Sequence, residues 1–486
     1  MILRLKRFKD PVHGYIAVPL DICDAFIDNE IFQRLRQVEQ TSMRSLYPGA
    51  RHDRFIHSLG VYHLGCKAVD RIEAVKRERD EPINDDWKRF RKSFEIACLM
   101  HDCGHAPFSH ACEHYYNHTD KAENSRRADE WLLAKCKKDK RFIADFNALA
   151  KKPAPHESFS AALMLEFFDN KIRELGADPI LAVRMITGCR YHDSQDSDHK
   201  LVNCLILLLH GDAIDVDKLD YLLRDTWASG VKNTAIDIDR LLHGMRIGVK
   251  DGHPCLCFDK SSLSVVQSVV DARNYLYDWV FTHHTVKYYT HLLDLAIRRL
   301  AEKATKSKPD VFWTKVFSID SFRKPVAINK TTRIYLPTDG DMFSLLKTCG
   351  KSDPNVNELL SHKPSRIALW KTRADFRELE LDDKKNTEQL RLEIPAKLAS
   401  YCKEQNWGQY KKDRFLIIDA TSEHLQISPS DIYIAMDSDN KILSYSTVMG
   451  TPTHSPQKNP AFFVYAPIEL KAHRKELVER IRRCFQ

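Results

Sequence analysis

The sequence predicts a mainly α-helical protein that closes with a smaller α+β region, and three observations carry that expectation. Apolar residues recur at intervals near 3.6 through roughly the first 300 positions. Beyond Lys303 short β-branched runs alternate with prolines and turn residues. A helical spacing then returns at Leu470, Leu477, Val478, Ile481 and Phe485. The division is expected at 305/306, giving a helical segment 1–305 and an α+β segment 306–486.

Each element has its local cause. Ile22 and Phe26, then Ile31, Phe32 and Leu35, fit two short helices. Phe94–Met100 is an apolar helical stretch that runs into His101-Asp102, where Gly104 and Pro107 break it. Leu201–Leu209 is apolar on all sides and reads as a buried helix. Ser262–Thr305 carries a long helical pattern through Val265, Val269, Leu292, Leu293, Ala296 and Leu300. Phe312–Thr338 mixes β-branched runs with Pro325 and Pro337. Arg414–Thr421, Asp431–Met436, Ile442–Val448 and Ala461–Tyr465 read as strands, with turn-rich links such as Asp437–Asn440.

Composition narrows the class. Of 486 residues, 43% are hydrophobic and 29% charged, which excludes wholesale disorder. A chain of this length buries a large core without disulfide staples. The 13 cysteines are scattered and none forms a CxxC pair, the usage of a reduced, cytoplasmic protein. Cys255-x-Cys257 beside His253 is compatible with a metal site, but also with small hydrophobes in a strand. Apolar runs such as Leu205–Leu209 fall far short of the ~20 residues that span a bilayer. Met1–Asp10 holds no signal-peptide core. The 75 Lys+Arg exceed the 67 Asp+Glu by 8. That balance permits polyanionic partners, nucleotides or nucleic acid, without demanding them.

Four segments concentrate His and Asp: Arg54–Gly60 with His57; His101-Asp102-x-Gly104-His105-x-Pro107-Phe108-Ser109-His110; Pro155-His156-Glu157; and Ile214-Asp215-Val216-Asp217-Lys218-x-Asp220-Tyr221 with Asp225. An HD dipeptide alone means little, since His52-Asp53 and His192-Asp193 are two more. His101-Asp102 stands out through its apolar helix and the histidines downstream of it. Imidazole with carboxylate suits first-row metals. A lone His57 would more often be a hydrogen-bonded core residue. Lys218, Tyr221 and Asp225 share one helix face, with Asp217 four residues before Tyr221. Their convergence fits a site or a salt-bridged surface equally.

The order His57, His101-Asp102, Asp217 resembles the H…HD…D signature of the HD-domain metal-dependent phosphohydrolases. Asp28-x-x-x-Phe32-Gln33-Arg34-Leu35-Arg36, Pro48-Gly49-Ala50, Arg54-Phe55-x-His57-Ser58-Leu59-Gly60-Val61 and the His101–His110 block narrow the resemblance to one branch. That branch comprises the deoxynucleoside triphosphate triphosphohydrolases: bacterial dGTPases and the animal enzyme that joins a sterile-alpha-motif domain to an HD domain. The likeness covers about residues 6–300, with no sterile-alpha-motif segment ahead of it.

The resemblance implies a helical HD-domain core and a set of roles. His57, His101, Asp102 and Asp217 would hold one divalent transition metal (Mn, Fe, Co, Ni or Zn), with Mg accompanying the triphosphate. The implied reaction is water attack on the α-phosphate of a dNTP, releasing deoxynucleoside and tripolyphosphate. His105, His110 and His156 match active-site histidines that are not ligands: His110 and His156 on the water and leaving-group side, His105 at the phosphates. Arg54 and Lys218 match cations that hold the triphosphate. Gln40, Tyr221 and Asp225 match residues lining the sugar, and Tyr289 a tyrosine wall under C2′, although core packing would also explain it. Asp28, Gln33, Arg36, Arg246 and Lys260 match a site for an activating nucleotide at a subunit interface. Lys9 stands where that site has Asn and Phe258 where it has Arg, so a different activator is expected. A homo-oligomer (dimer, tetramer or hexamer) and phage defence by dNTP depletion are implied by the same resemblance.

Other readings compete. Stringent-response hydrolases carry HDxxED, which this chain lacks, and the cyclic-dinucleotide branch needs a GYP block that Gly14-Tyr15-Ile16 does not supply. A nuclease, or a non-catalytic nucleotide- or nucleic-acid-binding regulator, would use the same cleft.

Overall fold

The chain opens with a β-hairpin, and a hydrophobic face explains it. In this computed structural model β1 (Leu5–Asp10) pairs antiparallel with β2 (Gly14–Pro19), from Leu5 opposite Pro19 to Asp10 opposite Gly14. Ile16 and Val18 point inward and are buried, while Tyr15 is exposed. All residues are described except 1–3, 120–125, 193, 233–235, 305–311, 350–352, 379–386, 421–430, 437–440, 451–461 and 486. The expected division at 305/306, the Asp437–Asn440 turn and Asp193 lie outside the described residues.

Helices dominate the chain after the hairpin, and the protein is mainly α. Helix α1 (Arg54–Glu78) starts where the Asp53 side chain accepts from Ile56 N at 3.0 Å, and α2 (Asp85–Met100) where Asn84 accepts from Trp87 N at 2.9 Å. Helix α3 (Pro155–Phe167) has proline in its first turn, and Glu157 bonds back to Ala154 N at 2.7 Å. Helix α4 (Val216–Ser229) is capped by Asp215, which accepts from Lys218 N at 2.7 Å. Helix α1 packs between α2 and α4 over Phe94, Leu64, Val61 and Leu219.

The helical pattern expected over Ser262–Thr305 divides into α5 (Leu263–Leu276) and α6 (His284–Ala304). A π-helical turn, Tyr277–Phe281, separates them, and the Thr282 hydroxyl donates to Tyr277 O there. Helix α7 (Asp339–Cys349) and helix α8 (Arg474–Phe485) belong to the later part of the chain.

Small sheets occupy that part and also draw in a hairpin just before α5, inside the segment expected to be helical. Strands β3 (Met245–Lys250) and β4 (His253–Asp259) form a hairpin. A short strand, β5 (Arg366–Ala368), is followed by β6 (Leu416–Asp419), β7 (Tyr433–Ala435), β8 (Ile442–Ser444) and β9 (Phe462–Pro467). One sheet runs β8-β7-β4-β3, with β7 parallel to β4, and another runs β5-β9-β6. The expected strand Ile442–Val448 stops at Ser444, because the Ser444 hydroxyl accepts from Thr447 N at 3.2 Å and starts a helical turn, Tyr445–Met449. No described helix is long and apolar enough to cross a membrane.

Candidate metal centre and active site

Three helices bring the centre together. His57 lies in the first turn of α1, His101 and Asp102 come directly after the last turn of α2, and Asp217 lies in the first turn of α4. His57 Nε2 is 3.0 Å from Asp217 Oδ1 and 3.7 Å from Asp102 Oδ2. His101 Nε2 is 3.5 Å from Asp102 Oδ1 and 3.7 Å from Asp217 Oδ1. That nitrogen is buried and makes no hydrogen bond. Ligand atoms of His57, His101 and Asp102 all fall within 4.8 Å of one another. The Asp217 carboxylate is the open side, with its side chain 37% exposed.

The electrostatics suit a divalent cation. Burial opposes a proton on His57, yet hydrogen bonds that it donates to Asp217 and Asp220 override it and push the imidazole up to about 9. Burial also opposes charge on Asp102, but Arg54 and the imidazoles of His101 and His57 hold its carboxyl far below the usual range. Asp217 is likewise held down, against burial, by His101 and His57. A cation here would take over the charge balance that imidazole protons provide, releasing them on binding. Two imidazoles, two carboxylates and an orphaned buried nitrogen fit such an ion.

A buried second layer orients the ligands. His57 Nδ1 is 2.7 Å from Asp220 Oδ2, which leaves Nε2 facing the centre. His101 Nδ1 is 2.9 Å from Cys98 O. Asp220 also takes His13 Nε2 at 2.6 Å and Arg224 Nε and Nη2 at 2.8 and 2.9 Å. Arg224 Nη1 donates to Asp10 at 2.9 Å. Gly60 makes room for this layer: a Cβ there would lie 1.9 Å from Asp220 Oδ1. Gly104 does the same for helix packing, since a Cβ would lie 2.6 Å from Ser160 N on α3. That close approach brings His156 beside the His101–Asp102 turn.

Beside the centre, His105, His110 and His156 cluster with ring nitrogens within 4.8 Å of one another. The His105 and His156 rings stack at 4.1 Å, and His110 stands edge-on to both. Glu113 bridges two of them, with Oε1 3.1 Å from His110 Nδ1 and Oε2 2.5 Å from His156 Nδ1. Burial disfavours a proton on His156, but Glu113 overrides it and raises the imidazole to about 9. Burial, then Arg54 and the neighbouring imidazoles, push His105 well below its usual value. Neither His105 nitrogen has a hydrogen-bond partner. His110 is open, its side chain 65% exposed. The cluster therefore pairs a neutral buried imidazole with a protonated one.

The remaining expected residues divide. Arg54 adjoins the centre but is held there: Nη1 donates to Asp102 at 2.6 Å, Nε to Ser109 Oγ at 3.0 Å and Nη2 to Gln40 O at 3.0 Å. Two of its five N–H groups stay available. Gln40 is buried with Oε1 unpartnered, and Asp225 binds His52 Nε2 at 2.6 Å while its Oδ2 has no partner. Lys218 folds back onto Asp215 Oδ2 and Gly211 O, both at 2.6 Å, so the α4 face does not converge as one polar group. Tyr221 is half-buried. Tyr289 lies 4.9 Å from the His362 ring and lines a cavity of about 330 Å³ with Tyr288, Tyr465, Lys371, Lys471 and Arg474; none of the other expected substrate residues lines it.

The residues matched to an activator form two groups. Asp28 takes Lys6 Nζ at 2.8 Å, Gln33 donates to Ile27 O at 2.8 Å, and Arg36 donates to Gln33 Oε1 at 2.8 Å while lying 3.5 Å over the Phe55 ring. Arg36 and Lys9 line a cavity of about 150 Å³. Arg246 pairs with Asp259 at 3.0 Å on the β3–β4 hairpin, next to Lys260.

Sequence reasoning missed Glu113, Arg224, Asp10 and His13 and gave Asp220 no role. The spacings His110–Glu113 and Asp220–Arg224, three and four residues, were visible signals. Nothing local marks Asp10 or His13.

Residues 54–153 match the family described as HD domain. Over those residues the chain carries an HD domain, a class that binds divalent metals, and His57, His101 and Asp102 form a His/Asp cluster there. Among particular proteins it is similar to the SAMHD1-type triphosphohydrolases. It is 30% identical over 284 residues to the deoxynucleoside triphosphate triphosphohydrolase SAMHD1 homolog of Dictyostelium discoideum, covering 58% of this chain and 47% of that one. SAMHD1 of Gallus gallus is 29% identical over 304 residues, 62% of this chain and 45% of its own. Uncharacterized protein YwfO of Bacillus subtilis is 28% identical over 280 residues, 57% of this chain and 52% of its own. The chain spans about half the length of these curated relatives. A hypothetical protein from Aquifex aeolicus shares the fold, with a TM-score of 0.64 at 20% identity over 98% of this chain and 100% of that one.

Proposed function

We propose that this phosphohydrolase cleaves dNTPs to deoxynucleoside and tripolyphosphate by water attack at the α-phosphate. The observation that carries the reading is the convergence of His57, His101, Asp102 and Asp217 beside the stacked imidazoles of His105 and His156. The SAMHD1-type relatives support the choice of dNTP. His57, His101, Asp102 and Asp217 would hold a divalent transition metal, which would supply Lewis acidity toward a phosphoryl oxygen and a lowered pKa for water.

The chain's own groups do the rest. Asp220 accepts the Nδ1 proton of His57 and keeps Nε2 as a lone-pair donor. Protonated His156 gives its proton to the departing 5′-oxygen, and Glu113 restores the charge balance. Neutral His105 donates an N–H to a phosphate oxygen, and His110, in the open, orients the incoming water and takes up the proton it loses. The free N–H groups of Arg54 face developing phosphate charge. Unpartnered Gln40 Oε1 and Asp225 Oδ2 accept from sugar hydroxyls. Activation by a nucleotide at Asp28, Gln33, Arg36, Arg246 and Lys260, homo-oligomer assembly, a cytoplasmic site of action and phage defence by dNTP depletion complete the reading. They rest on the motif resemblance.

The test is direct. Purified protein is incubated with each dNTP, singly and mixed, with Mn or Mg, and nucleosides are resolved from phosphates. Deoxynucleoside with tripolyphosphate is expected; monophosphate with pyrophosphate, or no turnover in any mixture, overturns the reading. Sedimentation with added GTP or dNTP tracks assembly.

His156 also sets a pH dependence. Its pKa of about 9 lies above the ordinary 6.5, so the Glu113–His156 pair is fully made below 6.5 and lost as pH rises through 9. Turnover is expected to fall on the alkaline side near that value. Glu113→Gln keeps the burial penalty and removes the carboxylate, so the alkaline limb should move down by about 1–3 pH units. A pH–rate profile of the variant that superimposes on wild type would exclude His156 as the acid.

A further inference from the structure

We propose that Asp339, at the start of α7 in the later part of the chain, is a positioning residue for the catalytic loop that carries Ser109 and His110. The inference rests on the hydrolase reading of that loop.

The loop is backbone-strained. Phe108 and Ser109 are consecutive non-glycine residues with φ of 58° and 53°, in the left-handed region that side chains disfavour. Something must hold them there, and α7 supplies it. Asp339 Oδ1 accepts from Phe108 N at 2.6 Å, and Oδ2 accepts from Glu39 N at 2.9 Å. The carboxylate is buried, so these amides are its partners in place of water. One helical turn on, the Phe343 ring meets the Phe108 ring edge-on at 4.9 Å.

The hold reaches the metal centre through a chain of hydrogen bonds. The Ser109 hydroxyl, next to Phe108, donates to Glu39 O at 2.5 Å. The same hydroxyl accepts from Arg54 Nε at 3.0 Å, and Arg54 Nη1 holds Asp102 at 2.6 Å. A second strand of the clasp runs beside it: buried Arg34 donates to Pro337 O at 2.6 Å and to His105 O at 2.6 Å. The segment 337–339 thus grips the loop on both sides of Pro107. Asp341, two residues on, turns back to the Thr338 hydroxyl and amide at 2.7 and 2.9 Å and makes no hydrogen bond to the loop. It is the built-in control.

Asp339→Asn replaces one carboxylate oxygen by an amide NH2 that cannot accept, so either the Phe108 N–H of the loop or the Glu39 N–H that fixes the partner of Ser109 loses its acceptor. Small misplacement of a catalytic group lowers rate by up to about a hundredfold. With an equimolar mixture of four dNTPs and Mn, the variant should lose kcat by at least about tenfold. KM should stay within about twofold, with bound Mn and melting temperature near wild type. Asp341→Asn should lower the melting temperature and leave kcat alone. Hydrogen exchange by mass spectrometry gives a readout that does not depend on substrate: the peptide covering residues 105–113 should exchange faster in Asp339→Asn, and not in Asp341→Asn. Unchanged exchange of that peptide, or equal loss of kcat in both variants alongside a lower melting temperature, overturns the inference. If wild type turns over no dNTP, the substrate reading fails while the exchange experiment still decides the positioning role.

Discussion

Asp217→Ala is expected to lower dNTP turnover by at least about a thousandfold while leaving the fold intact, because a metal centre supplies several kcal/mol to the transition state and each 1.36 kcal/mol is tenfold in rate. The carboxylate lies 3.0 Å from His57 Nε2 and closes the open side of the centre. Without it, two imidazoles and Asp102 remain, and the charge that opposes a divalent cation is no longer balanced. Its removal costs the fold little, since the side chain is partly exposed and α4 keeps its Asp215 cap. Metal content by mass spectrometry, melting temperature and tripolyphosphate release are measured together. Wild-type turnover in the variant would remove Asp217 from the centre. Loss of turnover with full metal occupancy would place its role elsewhere.

The second large effect is on stability. Arg224 is fully buried and serves both Asp220 and Asp10. Arg224→Met fills similar volume but removes the guanidinium that Asp220 and Asp10 share and leaves their buried negative charge under-compensated, a loss of about 3–5 kcal/mol. Asp220 would also hold His57 less firmly, and second-layer losses weaken metal binding by about 10–100-fold. Urea unfolding and metal titration read the two effects. A combined Arg224→Met, Asp10→Asn, Asp220→Asn chain should regain part of the stability but not the metal affinity. A stability loss under about 1 kcal/mol in the single variant would mean the carboxylates find water or protons instead.

The grouping of His57, His101, Asp102 and Asp217 was legible through the order of their motifs, which resembles the H…HD…D signature, and the structure brings the four together. His57 comes three residues after Arg54, and His101-Asp102 ends an apolar helix. The substrate side was less legible for a physical reason. Helical spacing says that Lys218, Tyr221 and Asp225 share a face, but not what lies opposite. Asp215, at the cap of the same helix, captures Lys218, and His52 captures Asp225. The second layer was invisible for another reason. Asp10 and His13 reach Arg224 and Asp220 across 214 and 207 residues, through a hairpin whose apolar alternation is only Ile16 and Val18. The end of the strand expected over Ile442–Val448 turned on one capping hydroxyl, Ser444. Glu113 was within reach of inspection, three residues after His110.

The separation of the ligands along the chain also sets when the centre can exist during synthesis. His57 emerges from the ribosome 160 residues before Asp217, a delay on the order of ten seconds or more at ordinary translation rates. Through that interval His57, His101 and Asp102 are made but uncompleted, and the hairpin holding Asp10 and His13 waits for Arg224 and Asp220. Closing so long a loop costs only slowly more entropy than closing a short one, so the delay is temporal rather than energetic. Incomplete chains that end before α4 therefore lack Asp217, the fourth proposed ligand, and the buried counter-charge alike. Loading of the proposed metal site thus requires synthesis to have passed α4.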